Sequence, residues 1–166
     1  MSAKRTRTDR IAEDAVANLC RAVGASVQKV SEDDNGWDLL VEFPPQVESA
    51  FPDLDPPLTR CLIQVKSVQS RRKSTRVKLS NALKFAKDSI PCFVVLLTYP
   101  TGPKAFETAY VRHVWATDMA QAIEAARRAS SGGRDLNTQY LPITFSKEVP
   151  ITGYLSWSRL VSGVRK

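Results

Sequence analysis

A single histidine, His113, and three widely separated cysteines, Cys20, Cys61 and Cys92, exclude several chemistries at the outset. There is no C-x-x-C pair, so a zinc knuckle is not expected. The odd number of thiols in apolar surroundings fits reduced, buried cysteines better than a disulfide framework. No P-loop and no dinucleotide fingerprint occurs, so an ATP-driven step would need another domain or protein. No G-x-S-x-G elbow occurs, which leaves Ser67 a strand hydroxyl and not a nucleophile. No apolar run approaches membrane-spanning length, and no apolar segment follows the basic residues at the start of the chain, so a cytoplasmic, soluble protein is expected. There is no internal repeat. His113, mid-strand between Arg112 and Val114, reads as structural.

What is present is enough for one domain with a core: 166 residues, 43% of them hydrophobic. The formal net charge is +7 and the sequence pI about 9.5. That excess favours polyanions such as nucleic acid, or an acidic partner; the plainer reading is a merely soluble basic surface.

Residues 1–9 are polar and basic and read as an arm, with Thr8 or Asp9 as helix N-cap. A helix is predicted over 10–23, where Ile11, Ala15, Leu19 and Val23 form a stripe with Ala12, Val16 and Cys20 beside it. Glu13 lies at the edge of that stripe, and Gly24 ends the helix. Residues 25–30 form a short strand, followed by an acidic turn closed by Asn35-Gly36. The next strand, 37–43, should place Trp37, Leu39, Val41 and Phe43 on one face and Asp38, Leu40 and Glu42 on the other. Five prolines in 44–59 mark an insertion loop. After the central strand comes a basic loop over 69–78. A helix from Ser80 to about Ser89 should turn Leu83, Ala86 and Ile90 inward, and a fully buried strand spans 92–99. A strand over 109–115, a helix over 118–129 with Met119, Ala122, Ile123 and Ala126 inward, an edge strand over 141–145 and a short helix over 155–164 complete the chain. The order implies a mixed α/β sheet with a helical crossover.

The chain is organised around Arg60-Cys61-Leu62-Ile63-Gln64-Val65-Lys66-Ser67. Alternation puts Leu62, Gln64 and Lys66 on one face and Cys61, Ile63 and Val65 on the other. A lysine in a buried strand is costly without a partner. Asp38, on the neighbouring strand, could supply one, as could a substrate phosphate. Glu13, Asp38 and Gln64 offer hard oxygen ligands suited to Mg²⁺ or Mn²⁺. Read singly, Asp38 is a turn residue, Gln64 a hydrogen-bonded strand amide and Glu13 a solvated helix residue; only Lys66 resists a purely structural reading.

Glu13 on the first helix, then Gly36-Trp37-Asp38, then Gln64-Val65-Lys66-Ser67, then a helix and the strand PCFVVLL, together resemble the PD-(D/E)XK nuclease superfamily. The closest likeness is to small bacterial members with a Q-x-K motif, similar in layout to archaeal Holliday-junction resolvases. The resemblance covers roughly residues 8 to 99. It implies a restriction-endonuclease-like fold with a core over 10–99 and a sheet and helix extension over 100–166. It further implies metal-dependent hydrolysis of DNA phosphodiester bonds. Asp38 would bind metal, Gln64 would stand at the glutamate position, Lys66 would be the catalytic lysine and Glu13 the additional helix carboxylate. The Val65 carbonyl would be a further metal ligand. Trp37 and Gln64 depart from the family pattern, and the neutral Gln64 weakens metal binding unless Glu13 or Glu42 compensates. A defence or DNA-processing role, a homodimer in which each protomer cuts one strand, and a protein partner in a larger system are all compatible with the resemblance.

The basic residues Arg71, Arg72, Lys73, Arg76 and Lys78 follow the central strand directly and could hold phosphates beside the scissile one, with Lys84 and Lys87 extending that surface. Lys4, Arg5, Arg7 and Arg10 could add a second contact. No aromatic interleaving favours single-strand stacking, so binding of duplex or branched DNA is expected. The alternative to a nuclease is an inactive nuclease-fold module that binds nucleic acid or a protein partner.

Overall fold

The computed structural model describes residues 7–30, 36–44, 58–69, 72–99, 106 and 108–145. Their elements run α1 (Arg7–Ala22), β1 (Ser26–Lys29), β2 (Leu39–Phe43), β3 (Thr59–Val68), β4 (Ser74–Lys78), α2 (Leu79–Lys87), β5 (Cys92–Thr98), β6 (Thr108–His113), α3 (Ala116–Ser131) and β7 (Tyr140–Thr144). The fold is mixed α/β. A five-stranded mixed sheet has the order β1-β2-β3-β5-β6, and β4 and β7 form a separate two-stranded ribbon.

The helix α1 starts earlier than its periodicity predicts. Thr8 and Asp9 lie within its first turn and do not precede it, and Asp9 there suits the positive end of the helix dipole. Gly24 ends it in the expected way, at φ +82°. Its N–H donates to the Arg21 carbonyl at 2.9 Å while the Ala25 N–H donates to Cys20 at 3.1 Å, the paired bonds of a Schellman cap. Ala12, Val16, Ala17 and Cys20 are buried against Leu39, Val41, Cys61, Ile63 and Val65, so α1 covers one face of the sheet.

β1 and β2 pair antiparallel, with Val27 opposite Val41, and β2 pairs antiparallel with β3, with Leu39 opposite Ile63. The expected acidic turn at 31–35 and most of the proline-rich loop lie outside the described residues. β5 runs parallel to β3, with Lys66 opposite Leu96, and β6 returns antiparallel to it. Every residue of β5 is buried, as its continuous apolar run requires of a central strand. The crossover from β3 to β5 is supplied by β4 and α2, since parallel neighbours cannot be joined by a tight turn.

The second face of the sheet packs Leu62, Val94, Leu96 and Tyr110 against Phe85 of α2, Ala122 of α3, Val77 and Ile143 of the ribbon, and Phe145 just after it. Five expectations are corrected here. The basic stretch 69–78 is not all loop: 74–78 is strand β4, with Val77 inward. The stretch expected at 141–145 is β7, an edge strand not of the main sheet but of the ribbon, where Pro142 faces no ladder demand it cannot meet. The inner face of α2 is Leu79, Ala82 and Phe85, not Leu83, Ala86 and Ile90, which are only partly buried. Ser80 does not cap α2; Lys78 holds that position without a side-chain bond. In α3, Asp118, Ala122, Ala126 and Ala129 are buried, while Met119 and Ile123 are only partly so. The helix expected at 155–164 lies outside the described residues.

Candidate functional site

β2 begins at Leu39, and β3 runs on past it for five residues, Gln64 to Val68, with no β2 residue opposite. Asp38 stands at that step. Its own N–H donates to the Ile63 carbonyl at 2.9 Å, and its carbonyl accepts the Val30 N–H at 3.0 Å, so its backbone is held from both sides. Its carboxylate then takes the place of the missing strand: Oδ2 accepts the Val65 N–H at 2.7 Å. That is a charge-assisted bond, shorter than the usual amide–carbonyl distance. Within a strand the N–H and C=O of one residue point to the same edge. The Val65 carbonyl therefore opens toward the edge where the Asp38 carboxylate sits.

Gln64 and Lys66 flank Val65 and leave β3 on the face shared with Leu62, as alternation predicts. Gln64 is only 4% exposed, yet its Oε1 accepts no hydrogen bond. A buried amide oxygen without a donor is unusual and calls for an explanation. Lys66 is half-buried, and no described residue forms an ion pair or hydrogen bond with it. The expected pairing of Lys66 with Asp38 is not made: Asp38 is committed to the β3 backbone.

Glu13 is buried on α1, not a solvated helix residue. It projects from the helix that covers the opposite face, so Glu13 on one side and Gln64 and Lys66 on the other flank β3. Asp9, one turn earlier on α1, accepts a hydrogen bond from the Ser67 hydroxyl at 3.3 Å. Asp9 was overlooked in the sequence because it was read as a cap; its spacing of four from Glu13 is the signal that places it on the same helical face. The structure thus joins Asp38 directly to Val65, with Gln64 and Lys66 on one face of β3 and Glu13 on the helix that covers the other.

Among the described residues, no group of three or more His, Cys, Asp and Glu side chains is arranged to hold a metal ion. A donor set at this place would instead draw on the Asp38 carboxylate, the Gln64 amide oxygen and the Val65 carbonyl. The unpartnered Gln64 Oε1 fits such a role, since oxygen donors of this kind suit a hard divalent cation. Glu42 does not compensate nearby: it forms an ion pair with Arg60 at 2.6 Å, two positions farther along the strand from Leu40.

The turn that delivers Asp38 is itself packed on α2. Gly36 is buried with φ +82°, and a Cβ added there would meet the Asn81 side chain at 3.0 Å. Trp37 packs with Leu40 and Leu62, not on the Leu39 face as expected, because regular alternation starts only at Leu39. Of the basic residues, Arg71 lies outside the described residues, while Arg72, Lys73, Arg76, Lys78, Lys84 and Lys87 are all exposed. Of the N-terminal group, Lys4 and Arg5 lie outside the described residues, and Arg10 is exposed on α1.

The remaining chemistry-bearing groups are structural. His113 stacks on Phe93 with ring centroids 4.6 Å apart and touches Trp115 at 4.9 Å. Its Nε2 is buried without a partner, and burial lowers its pKa, opposed in part by the Asp118 carboxylate. All three cysteines are buried thiols outside any disulfide. Burial pushes the thiols of Cys61 and Cys92 up to about 12. Neither of these two thiols is a thiolate nucleophile at neutral pH. No helix among the described residues is long and apolar enough to cross a membrane. No protein-family model matches the chain, and no curated protein matches it.

Proposed function

We propose that the chain is a metal-dependent endonuclease acting on DNA, with a restriction-endonuclease-like core similar to the PD-(D/E)XK superfamily. The observation that carries the reading is the step at the end of β2, where the Asp38 carboxylate caps the Val65 amide beside an unpartnered Gln64 oxygen and the half-buried Lys66. Asp38, Gln64 Oε1 and the Val65 carbonyl would hold Mg²⁺ or Mn²⁺, with Glu13 contributing from α1. When bound, the divalent cation supplies Lewis acidity and offsets phosphodiester charge. Lys66 would place its ammonium against the attacking water or the developing negative charge, an interaction stronger in a partly desolvated site than in bulk water. The basic surface after β3 would hold neighbouring phosphates. Cellular setting follows from the same reading: an enzyme of DNA processing or antiphage defence in the cytoplasm, acting as a homodimer or with a protein partner.

A second reading has its own support. Gln64 adds no negative charge, and no group of three metal-ligating side chains is present among the described residues. Both favour a nuclease-fold module that binds nucleic acid without cutting it. One assay separates them: cleavage of plasmid and branched DNA by wild type, Lys66→Ala and Asp38→Ala in Mg²⁺, in Mn²⁺ and in chelator. Metal-dependent cutting by wild type and its loss in both variants is the expected result. Unchanged cutting by either variant refutes the site, and salt-sensitive binding without any cutting selects the module.

A further inference from the structure

The ribbon formed by β4 and β7 has two unlike faces. Thr75, Val77, Leu141 and Ile143 turn inward, Val77 and Ile143 being fully buried. Ser74, Arg76 and Lys78 turn outward, opposite Thr144, Pro142 and Tyr140 respectively. Tyr140 is 51% exposed, one of few large apolar side chains to be so. The Arg76 guanidinium lies over its ring at 5.7 Å, and Lys73 lies over Tyr110 at 5.5 Å. From Gln69 to Lys87 the sequence has seven lysines and arginines and no acidic residue, and β7 has none either. Among the described residues the outer face therefore carries basic and no acidic side chains, with one exposed aromatic ring at the end of the ribbon, opposite Lys78.

We propose that this face binds an unpaired nucleic-acid strand, with a base stacked on Tyr140 and the flanking phosphates held by Arg76 and Lys78. Charge complementarity selects a polyanion. The exposed ring selects unpaired bases, because a duplex keeps its base faces stacked inside while a single strand offers them to aromatic side chains. An arginine already resting on the ring adds a cation–π contact that a base can extend. The aromatic and the basic residues lie more than sixty positions apart in sequence, and only the β4–β7 pairing joins them.

The ribbon also leads to the site at Asp38. Lys78 immediately precedes α2, and Asn81 in the first turn of α2 packs on Gly36, two residues before Asp38. Three residues of helix rise only about 5 Å. The end of the ribbon is thus linked to the Asp38 step through the first turn of α2. The inference extends the nuclease reading by naming an unpaired strand as its substrate, but its binding test does not require cleavage.

The test is fluorescence anisotropy in chelator with a labelled oligothymidylate and a labelled duplex of equal length, on the full chain. Tyr140→Ala should weaken the single strand by about 5- to 150-fold, the range of one lost base–aromatic stack, and Tyr140→Phe should retain binding. Duplex binding should change less than twofold in either variant. Lys78→Gln should lower the single-strand salt slope by about 0.7, one phosphate contact. Equal single-strand binding by Tyr140→Ala and wild type overturns the proposal, as does equal loss on duplex or no binding by wild type. Loss of cleavage in Lys66→Ala, with single-strand binding still dependent on Tyr140, concerns the metal site alone.

Discussion

Replacing Gln64 by methionine should make the protein more stable and, on the proposed nuclease reading, end cleavage. The amide oxygen is buried and accepts no hydrogen bond. An unsatisfied buried acceptor costs about 1–3 kcal/mol. Methionine is of similar length, unbranched and free of polar atoms, so it fills the same space without that cost. The net gain should be about 1–2 kcal/mol, which for a chain of this length raises Tm by about 2–8 °C. Urea denaturation in chelator should show a higher midpoint with an unchanged slope, the signature of a pure stability change. Adding Mg²⁺ should stabilise wild type but not Gln64→Met, because a cation held only by the native fold contributes about 1.4 kcal/mol at tenfold above its Kd. The difference between the two proteins should therefore narrow or reverse with metal. A variant less stable than wild type in chelator would refute the claim that the oxygen is held without a partner for the sake of a ligand.

Three further outcomes follow from the same geometry. Asp38→Ala leaves the Val65 N–H without its 2.7 Å acceptor and should cost about 1.5–3 kcal/mol in urea unfolding, in addition to abolishing cleavage; an unchanged midpoint would mean the bond adds nothing. Gly36→Ala places a side chain at φ +82° and against Asn81, and should cost about 1–2 kcal/mol for the backbone alone, with part of any excess relieved by Asn81→Gly in a double-mutant cycle. His113 has a folded pKa lowered from 6.5 by burial among Phe93 and Trp115, with Asp118 opposing. The unfolded chain therefore binds the proton more tightly. Stability should be full above about pH 6.5 and fall as pH drops through the folded pKa, and His113→Phe should flatten that part of a urea-midpoint profile between about pH 7.5 and about pH 5.5.

Much of the architecture was legible because its signals are local. The α1 stripe, Gly24 as its end, the all-apolar β5 and the alternation along β3 each follow from a short window of sequence. The ribbon was not legible for the opposite reason. Ser74-Thr75-Arg76-Val77-Lys78 has one strongly apolar inward residue, and its partner lies beyond two helices and two strands. Its charge was read as solvation because a strand exposed on one face offers little else. In α2 two rows of apolar residues three apart compete, and the aromatic Phe85 decides for the row that local periodicity alone did not choose.

The site was legible in its residues and not in its construction. Asp38, Gln64 and Lys66 were picked from spacing, but spacing did not show that β2 ends one residue after Asp38 in the direction of Gly36. That irregularity explains both the misplaced Trp37 and the role of Asp38. Had β2 continued regularly, a backbone carbonyl would have met the Val65 N–H, and the Asp38 side chain would have faced α2. Because the strand stops, the carboxylate fills the ladder position, and the Val65 carbonyl faces an edge where no described strand pairs. The fixed carboxylate and the Val65 carbonyl share that edge, and the neighbouring Gln64 adds a buried amide oxygen without a donor. On the proposed reading, the local defect in pairing is what opens this edge of β3 to a ligand, and a substitution that extended β2 by one pair should close it.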